Sequence, residues 1–383
     1  KEESETEKDA VGVFLADSCM YQRTYPDQVE HHGQKINLSG MEDWMNRLIF
    51  QKEEERQLLL SMEKMEYAYK ECCAFPDWFG LTLPLLKYGL PIQPVYFDHM
   101  VRYEEYLRKY RYLILSYEFM KPESEEFHHK LVEWVKQGGT LFYIGKDFDP
   151  YNYLQEWWQK FSCDTPAQHL FAEFGMDKEP ANGCYRIGEG NVLVWNEVPA
   201  LLSVNEAIAD KYRNWIREGL KMGGYHWNMC NYLSVRRDPY IVIASMQESD
   251  TGSVYTKEGL FVDLYEDKYP VVERVLVEPG QEKLLFDLEK IKEDVRIIAT
   301  AARIENMACE NGQLSIEAKA IDHTQVNMRI RLPGKPEDLC AHTESGKNME
   351  LQSVWDEKSR TVLLSYRSNN EKVHITGKLK YES

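Results

Sequence analysis

The strongest constraint on this chain lies between Glu125 and Asp147. Phe127, Leu131, Trp134 and Val135 recur at helical spacing, Pro122 stands just ahead of them, and Gly138-Gly139 closes the run, so a helix is expected over 124–136. Thr140 to Ile144 then reads as a buried strand that breaks at Gly145-Lys146-Asp147. A helix that ends in glycine and hands on to a short apolar strand is the repeating unit of a parallel sheet covered on both faces. The neighbouring segments keep this grammar. Val11–Ala16 reads as a first strand. Leu81–Tyr88 reads as a helix stopped by Gly89, and Pro91–Phe97 as a strand that its prolines assign to a sheet edge. Tyr103–Arg108 is expected as a helix and Tyr112–Leu115 as a buried strand. Further helices are expected over Tyr153–Phe161, Pro166–Phe174 and Asn205–Leu220, with a strand at Val192–Trp195.

At 383 residues the chain exceeds one ordinary core, and 43% hydrophobic residues suffice to build more than one. Residues 10–225 are expected to form a doubly wound, mostly parallel α/β domain of the flavodoxin or amidotransferase kind. A helical insertion is expected at about 41–70, where Leu48, Ile49, Leu58, Leu59, Leu60 and Met65 are set among many charges. Past Tyr225 the pattern changes to short β-rich runs divided by turns such as Glu278-Pro279-Gly280 and Glu310-Asn311-Gly312. Residues 226–383 are therefore expected to form an antiparallel β-sandwich.

Charge and cysteine usage exclude several function classes. A net charge of −17 repels phosphate, which argues against nucleic acid and anionic membranes as partners. No apolar run approaches the roughly 20 residues that span a bilayer. The polar start at Lys1–Asp9 carries no signal-peptide pattern, and the scattered cysteines are expected as reduced thiols, so a cytoplasmic location is expected. Cys72-Cys73 are adjacent and no Cys-x-x-Cys is present, so no metal centre is expected. Gly188-Glu189-Gly190 is too short for a phosphate cradle, so no nucleotide or other cofactor is expected.

Four stretches, taken together, resemble a known arrangement. They are Phe79–Gly89, Tyr112–Pro122, Val132–Gly139 and Gly259–Leu264. In this order they are similar to the class I glutamine amidotransferase-like "trimerisation" domain, with its trailing β-domain, behind the catalytic barrel of some bacterial β-galactosidases and related glycoside hydrolases. In the amidotransferase fold, a strand like Thr140–Ile144 ends in a Gly-x-Cys-x-Gly turn that holds the reactive cysteine. Here the turn reads Gly145-Lys146-Asp147-Phe148-Asp149, so the resemblance implies a kept scaffold and a lost amidotransferase nucleophile. It also implies an upstream catalytic barrel as a partner, since a β/α barrel needs about 250 residues and no such span precedes residue 75.

Ligands of an open parallel sheet bind beyond the carboxyl ends of its strands. Those ends deliver Asp17 and Ser18, Asp98 and His99, Ser116 to Glu118, and Lys146 to Asp149. Glu118 and Asp147 are the candidate catalytic carboxylates, and Asp17, Arg23, Lys146, Asp149 and Trp158 the candidate ligand-binding residues. Acidic residues at strand ends also cap helices, and that plainer reading is favoured. Cys19 lacks a tight glycine turn, which favours a half-buried thiol over a nucleophile. Trp157 shares helical spacing with Tyr153, Leu154 and Phe161, which assigns it to a core and turns Trp158 toward an interface or a sugar. The expected role is a non-catalytic structural and oligomerisation module associated with a carbohydrate-active glycoside hydrolase, assembled as a homo-oligomer. The alternatives are a hydrolase that uses the strand-end carboxylates and a carbohydrate-binding module.

Overall fold

The computed structural model of the chain describes residues 11–16, 28–31, 34–37, 76–147, 156–203, 205–249 and 251–381. Asp17, Arg23, Asp149, Cys19, Cys72, Cys73 and the helical stretch expected at 41–70 lie outside the described residues. The chain divides into two compact units, Lys1–Leu233 and Ser234–Ser383.

The first unit opens with β1 (Val11–Leu15), followed by a hairpin of β2 (Gln28–His31) and β3 (Gln34–Asn37). Next come α1 (Pro76–Leu86), β4 (Ile92–Tyr96), α2 (Phe97–Arg102), β5 (Tyr112–Leu115), α3 (Glu125–Lys136) and β6 (Thr140–Ile144). The unit closes with α4 (Pro166–Glu173), β7 (Gly183–Ile187), β8 (Gly190–Trp195) and α5 (Glu206–Met222). Its main sheet has the order β4-β1-β5-β6-β8-β7. The first five strands run parallel, and β7 is antiparallel at the far edge.

The pleat sorts side chains to two faces. Phe14, Leu113, Leu115, Leu141, Tyr143, Val192 and Val194 pack with residues of α2, α3 and α4. The alternate residues Val11, Val13, Tyr112, Ile114, Phe142, Ile144 and Leu193 pack with α1 and α5. Helices therefore cover both faces, as strands that are apolar on both sides require. Helix α3 forms where its apolar stripe meets the sheet. Glu125 and Glu126 occupy its first turn, Lys136 its last, and Gly138 follows in the left-handed region at φ 113°, which only glycine adopts freely.

Three local expectations differ from the structure. The helix expected at Tyr103–Arg108 lies earlier, at α2, and Tyr106–Lys109 is a short 3-10 turn. Tyr103 to Arg108 carries too few apolar residues to bury a full helical face. Of the helix expected at Tyr153–Phe161 residues 156–161 are described, and Trp157–Phe161 forms a 3-10 turn. Strand β7 was not expected, since Gly183, Cys184 and Arg186 are exposed and leave no apolar run. Gly188-Glu189-Gly190 turns out to link β7 to β8, with Gly188 at φ 57°.

The second unit is all β. A five-stranded antiparallel sheet contains β9 (Tyr232–Arg237), β10 (Tyr240–Ser245), β11 (Tyr255–Asp263), β12 (Val271–Val277) and β13 (Glu282–Asp287). Two further sheets follow. One orders β14 (Arg296–Thr300), β17 (Gln325–Arg331), β21 (Thr361–Arg367) and β20 (Gln352–Asp356). The other orders β15 (Arg303–Glu310), β16 (Gln313–Lys319), β22 (Val373–Lys380), β18 (Lys335–Thr343) and β19 (Asn348–Met349). Val326, Met328, Val362 and Leu364 from the first share one core with Ile316, Ala341, Val373 and Ile375 from the second. The sandwich thus spans 296–380, and a separate sheet precedes it.

Candidate functional site

The sheet order places a topological switch between β1 and β5, because the chain passes from β1 outward to β4 and then returns to β5 on the other side. The crevice expected there opens at the carboxyl ends of β1 and β5, and β6 lies next to β5. β5 delivers Ser116, Tyr117 and Glu118, and β6 delivers Gly145, Lys146 and Asp147. Glu118 is buried, with 3% of its surface exposed, and its Oε1 accepts the Lys146 backbone N–H at 2.8 Å. Asp147 sits in the left-handed region at φ 53°, an uncommon conformation for a residue with a Cβ. Its Oδ1 accepts the Tyr143 hydroxyl at 2.9 Å. Lys146 pairs with Glu197, Nζ to Oε1 3.4 Å.

Glu118 and Asp147 are thus brought to one corner and engaged in holding the turn. Burial raises the Tyr143 hydroxyl pKa well above its ordinary value, and the charges of Asp147 and Glu118 raise it further. Tyr117 is raised by burial first and then by Asp147. Both phenols stay protonated at neutral pH, so Tyr143 remains a donor to Asp147. Replacing Glu118 with alanine is expected to cost about 1.5–3 kcal/mol, because the Lys146 N–H loses a charged acceptor. Glu118→Gln keeps an acceptor oxygen and is expected to cost less than half as much. Urea unfolding of the two variants checks this.

Beside the turn is a cleft of about 600 Å³. Tyr143, Lys146 and Asp147 line one side, and Gln168, Lys178 and Glu179 the other. Gln168 is fixed there: its Oε1 accepts the Asp164 N–H at 2.8 Å and its Nε2 donates to Glu179 Oε1 at 3.1 Å. Thr165 caps α4 by accepting the Gln168 N–H at 3.2 Å. Lys178 Nζ donates to the Ser162 carbonyl at 2.6 Å. The sequence reading missed this second wall. Its one local signal was Thr165-Pro166, a capping residue ahead of a helix start. Among the described residues, no group of three His, Cys, Asp or Glu side chains is placed to hold a metal.

Trp158 lies inside the structure with none of its surface exposed. The sequence reading had turned it outward by its phase on a long α-helix. The described segment is a five-residue 3-10 turn with three residues per turn, so that phase does not apply. Trp157 is held instead by its indole N–H, which donates to the Pro122 carbonyl at 2.8 Å, and Phe161 is the aromatic left 47% exposed.

A buried polar chain runs behind the crevice. The Tyr117 hydroxyl meets His128 Nε2 at 2.7 Å, and His128 Nδ1 meets His169 Nδ1 at 2.8 Å. One proton lies between the two Nδ1 atoms, so at most one imidazole donates there. His128 and His169 are 41 residues apart, and no sequence pattern joins them.

No protein-family profile matches the chain, and no curated protein matches it. Solved structures align with part of it. A GH42 β-galactosidase from G. stearothermophilus aligns at TM-score 0.33 and 13% identity, over 54% of this chain and 35% of that one. A β-galactosidase from Bacillus circulans sp. alkalophilus aligns at TM-score 0.32 and 10% identity, over 55% of this chain and 37% of that one. A GH31 dextranase from Flavobacterium johnsoniae aligns at TM-score 0.21 and 12% identity, over 45% and 28%. The chain spans little more than a third of the length of each β-galactosidase.

Proposed function

We propose that this chain is a non-catalytic structural and self-association module of a carbohydrate-active glycoside hydrolase. The observation that carries the proposal is the β6 turn. The position that the amidotransferase pattern reserves for a cysteine holds Asp147, whose carboxylate is bound by Tyr143, while Glu118 is bound by the Lys146 N–H. Both carboxylates stabilise the turn, and the sequence resemblance of Phe79–Gly89, Tyr112–Pro122 and Val132–Gly139 supplies the association with glycoside hydrolases. Self-association is supported by β4, an edge strand among the described residues, and by the aromatic cluster beside it. There His99 lies against Tyr96, Tyr103 and Tyr106, and Tyr96 and Tyr103 are 38% and 57% exposed.

Sedimentation of the full chain tests this. An oligomer at micromolar concentration is expected, shifted toward monomer by Tyr96→Ser with Tyr103→Ser, with no turnover of chromogenic glycosides or glutamine. A wild-type monomer would remove the self-association reading. A second reading is a hydrolase in the same crevice, favoured by the left-handed Asp147 on a sharp strand-end turn, since strained backbone gathers at active sites. Turnover abolished by Asp147→Asn would establish it in place of the first.

A further inference from the structure

We propose that the outer face of the four-stranded sheet in the second unit binds an anionic oligosaccharide. The face is defined by register. Val326, Met328, Val362, Leu364 and Tyr366 point into the sandwich core, so Gln325 and Asn327 on β17 and Ser365 and Arg367 on β21 point the other way. The ladder pairs Gln325 with Arg367, Asn327 with Ser365, and Ser365 with Gln352 of β20. These side chains floor a cleft of about 570 Å³. Lys268 forms part of one wall and Lys347 with Asn348 part of another.

Two features give the cleft its chemistry. The first is charge. The chain carries 63 acidic against 46 basic side chains, yet this cleft holds Lys268, Lys347 and Arg367 against Glu350 alone. Lys268, Lys347 and Arg367 are all exposed. The second is a set of side-chain amides, Gln325, Asn327, Gln352 and Asn348, of which Asn327 Oδ1 already accepts the Ser365 hydroxyl at 2.8 Å. An amide donates and accepts at once, which matches a sugar hydroxyl, whereas a simple inorganic anion uses only donors. Cations for a carboxylate, placed beside amides for hydroxyls, describe a uronic-acid oligosaccharide. No exposed aromatic lines the cleft, which disfavours a nucleobase, for which a stacking face is the usual platform.

The wall that carries Lys268 is held in place. Lys268 and Tyr269 are consecutive left-handed residues, at φ 66° and 46°. Such strain persists where surrounding contacts impose it, and it gathers at ligand sites. Here the contacts come from Arg329, which is 6% exposed. Its Nε donates to the Tyr269 carbonyl at 3.1 Å, its Nη2 to the Lys268 carbonyl at 3.4 Å, and its Nη1 to Thr361 Oγ1 at 3.3 Å. A buried guanidinium is thereby committed to fixing the backbone of the loop that presents Lys268.

Calorimetric titration of the full chain with trigalacturonate tests the site, with the methyl-esterified trisaccharide and sodium sulfate as comparison probes. Expected are saturable binding of the acid, little binding of the ester, and affinity that falls with added salt. Arg367→Gln is expected to weaken binding about tenfold or more through loss of a charged hydrogen bond, and Asn327→Ala to weaken it less. Arg367 is exposed and outside the core, so its variant tests binding in a folded protein, with an unchanged thermal midpoint as the control. No binding of trigalacturonate, equal binding of acid and ester, or an affinity unchanged in Arg367→Gln would each overturn the proposal. Sulfate competing at concentrations equal to the sugar would reduce the cleft to a general anion site and overturn it as well.

Discussion

Trp158→Ala is expected to destabilise the protein by about 3–5 kcal/mol, the range for emptying a large aromatic site in a core. Trp158 is among the largest fully buried side chains. Its ring lies 5.6 Å from that of Trp157, edge to face. Trp157 in turn packs against His128 and His169 at ring distances of 5.1 and 5.0 Å, so a void at Trp158 removes one wall of the buried imidazole pair's support. Trp158→Phe separates packing from polarity. The indole N–H of Trp158 is buried with no hydrogen-bond partner among the described residues, and a buried unpaired donor costs about 1–3 kcal/mol. Phenylalanine removes that donor while keeping most of the ring, so its cost is expected to be less than half that of alanine. Urea unfolding followed by circular dichroism measures both. A Trp158→Ala cost below about 0.5 kcal/mol, the range of surface substitutions, would return the ring to the solvent face and revive its reading as an interface residue.

Stability is expected to fall steeply as pH drops below about 6.5, the ordinary histidine value. Burial holds the His128 pKa well below that value, and the neighbouring His169 and His129 add to the effect. Burial also lowers His169, which Glu173 partly offsets. From above, α3 presents His128, His129 and Glu125, α4 presents His169 and Glu173, Lys178 lies nearby, and Tyr117 reaches in from the end of β5. The sign follows from the folded state's refusal of protons. Above the unfolded value both states hold neutral imidazoles, and these groups contribute no slope. Below it the unfolded chain takes up protons that the folded pair excludes, so unfolding becomes easier until the folded values are reached. Each group contributes up to about 1.4 kcal/mol per pH unit in that window. His128→Gln with His169→Gln removes both groups and is expected to flatten the profile below 6.5, whatever it does to stability at neutral pH. Urea midpoints at several pH values decide the matter, and parallel wild-type and variant profiles would sink the idea.

The fold of the first unit was legible where burial on both faces forces continuous apolar runs. Tyr112–Leu115 and Thr140–Ile144 are such runs, and the Gly138-Gly139 stop between α3 and β6 has a direct backbone cause in the positive φ of Gly138. Pro94 placed β4 at an edge because a proline cannot donate to a second neighbour. The exposed strand β7 was not legible, since Gly183, Cys184 and Arg186 leave it no apolar run. Of the candidate residues within the described part, Glu118, Lys146 and Asp147 stand just past the strands at which they were expected. The second wall of the cleft and the His128–His169 contact were not.

The sequence by itself determined the alternation of helices and strands in the first unit, the β character of the second, and which carboxylates stand at strand ends. These properties follow from short-range periodicity and from the conformational limits of glycine and proline. Only the tertiary structure decided that Glu118 is spent on the Lys146 N–H and Asp147 on Tyr143. It alone turned Trp158 inward, and it alone joined Lys268 and Arg329, 61 residues apart, around one cleft. Such pairings depend on which elements meet in space, and periodicity along the chain carries no term for that.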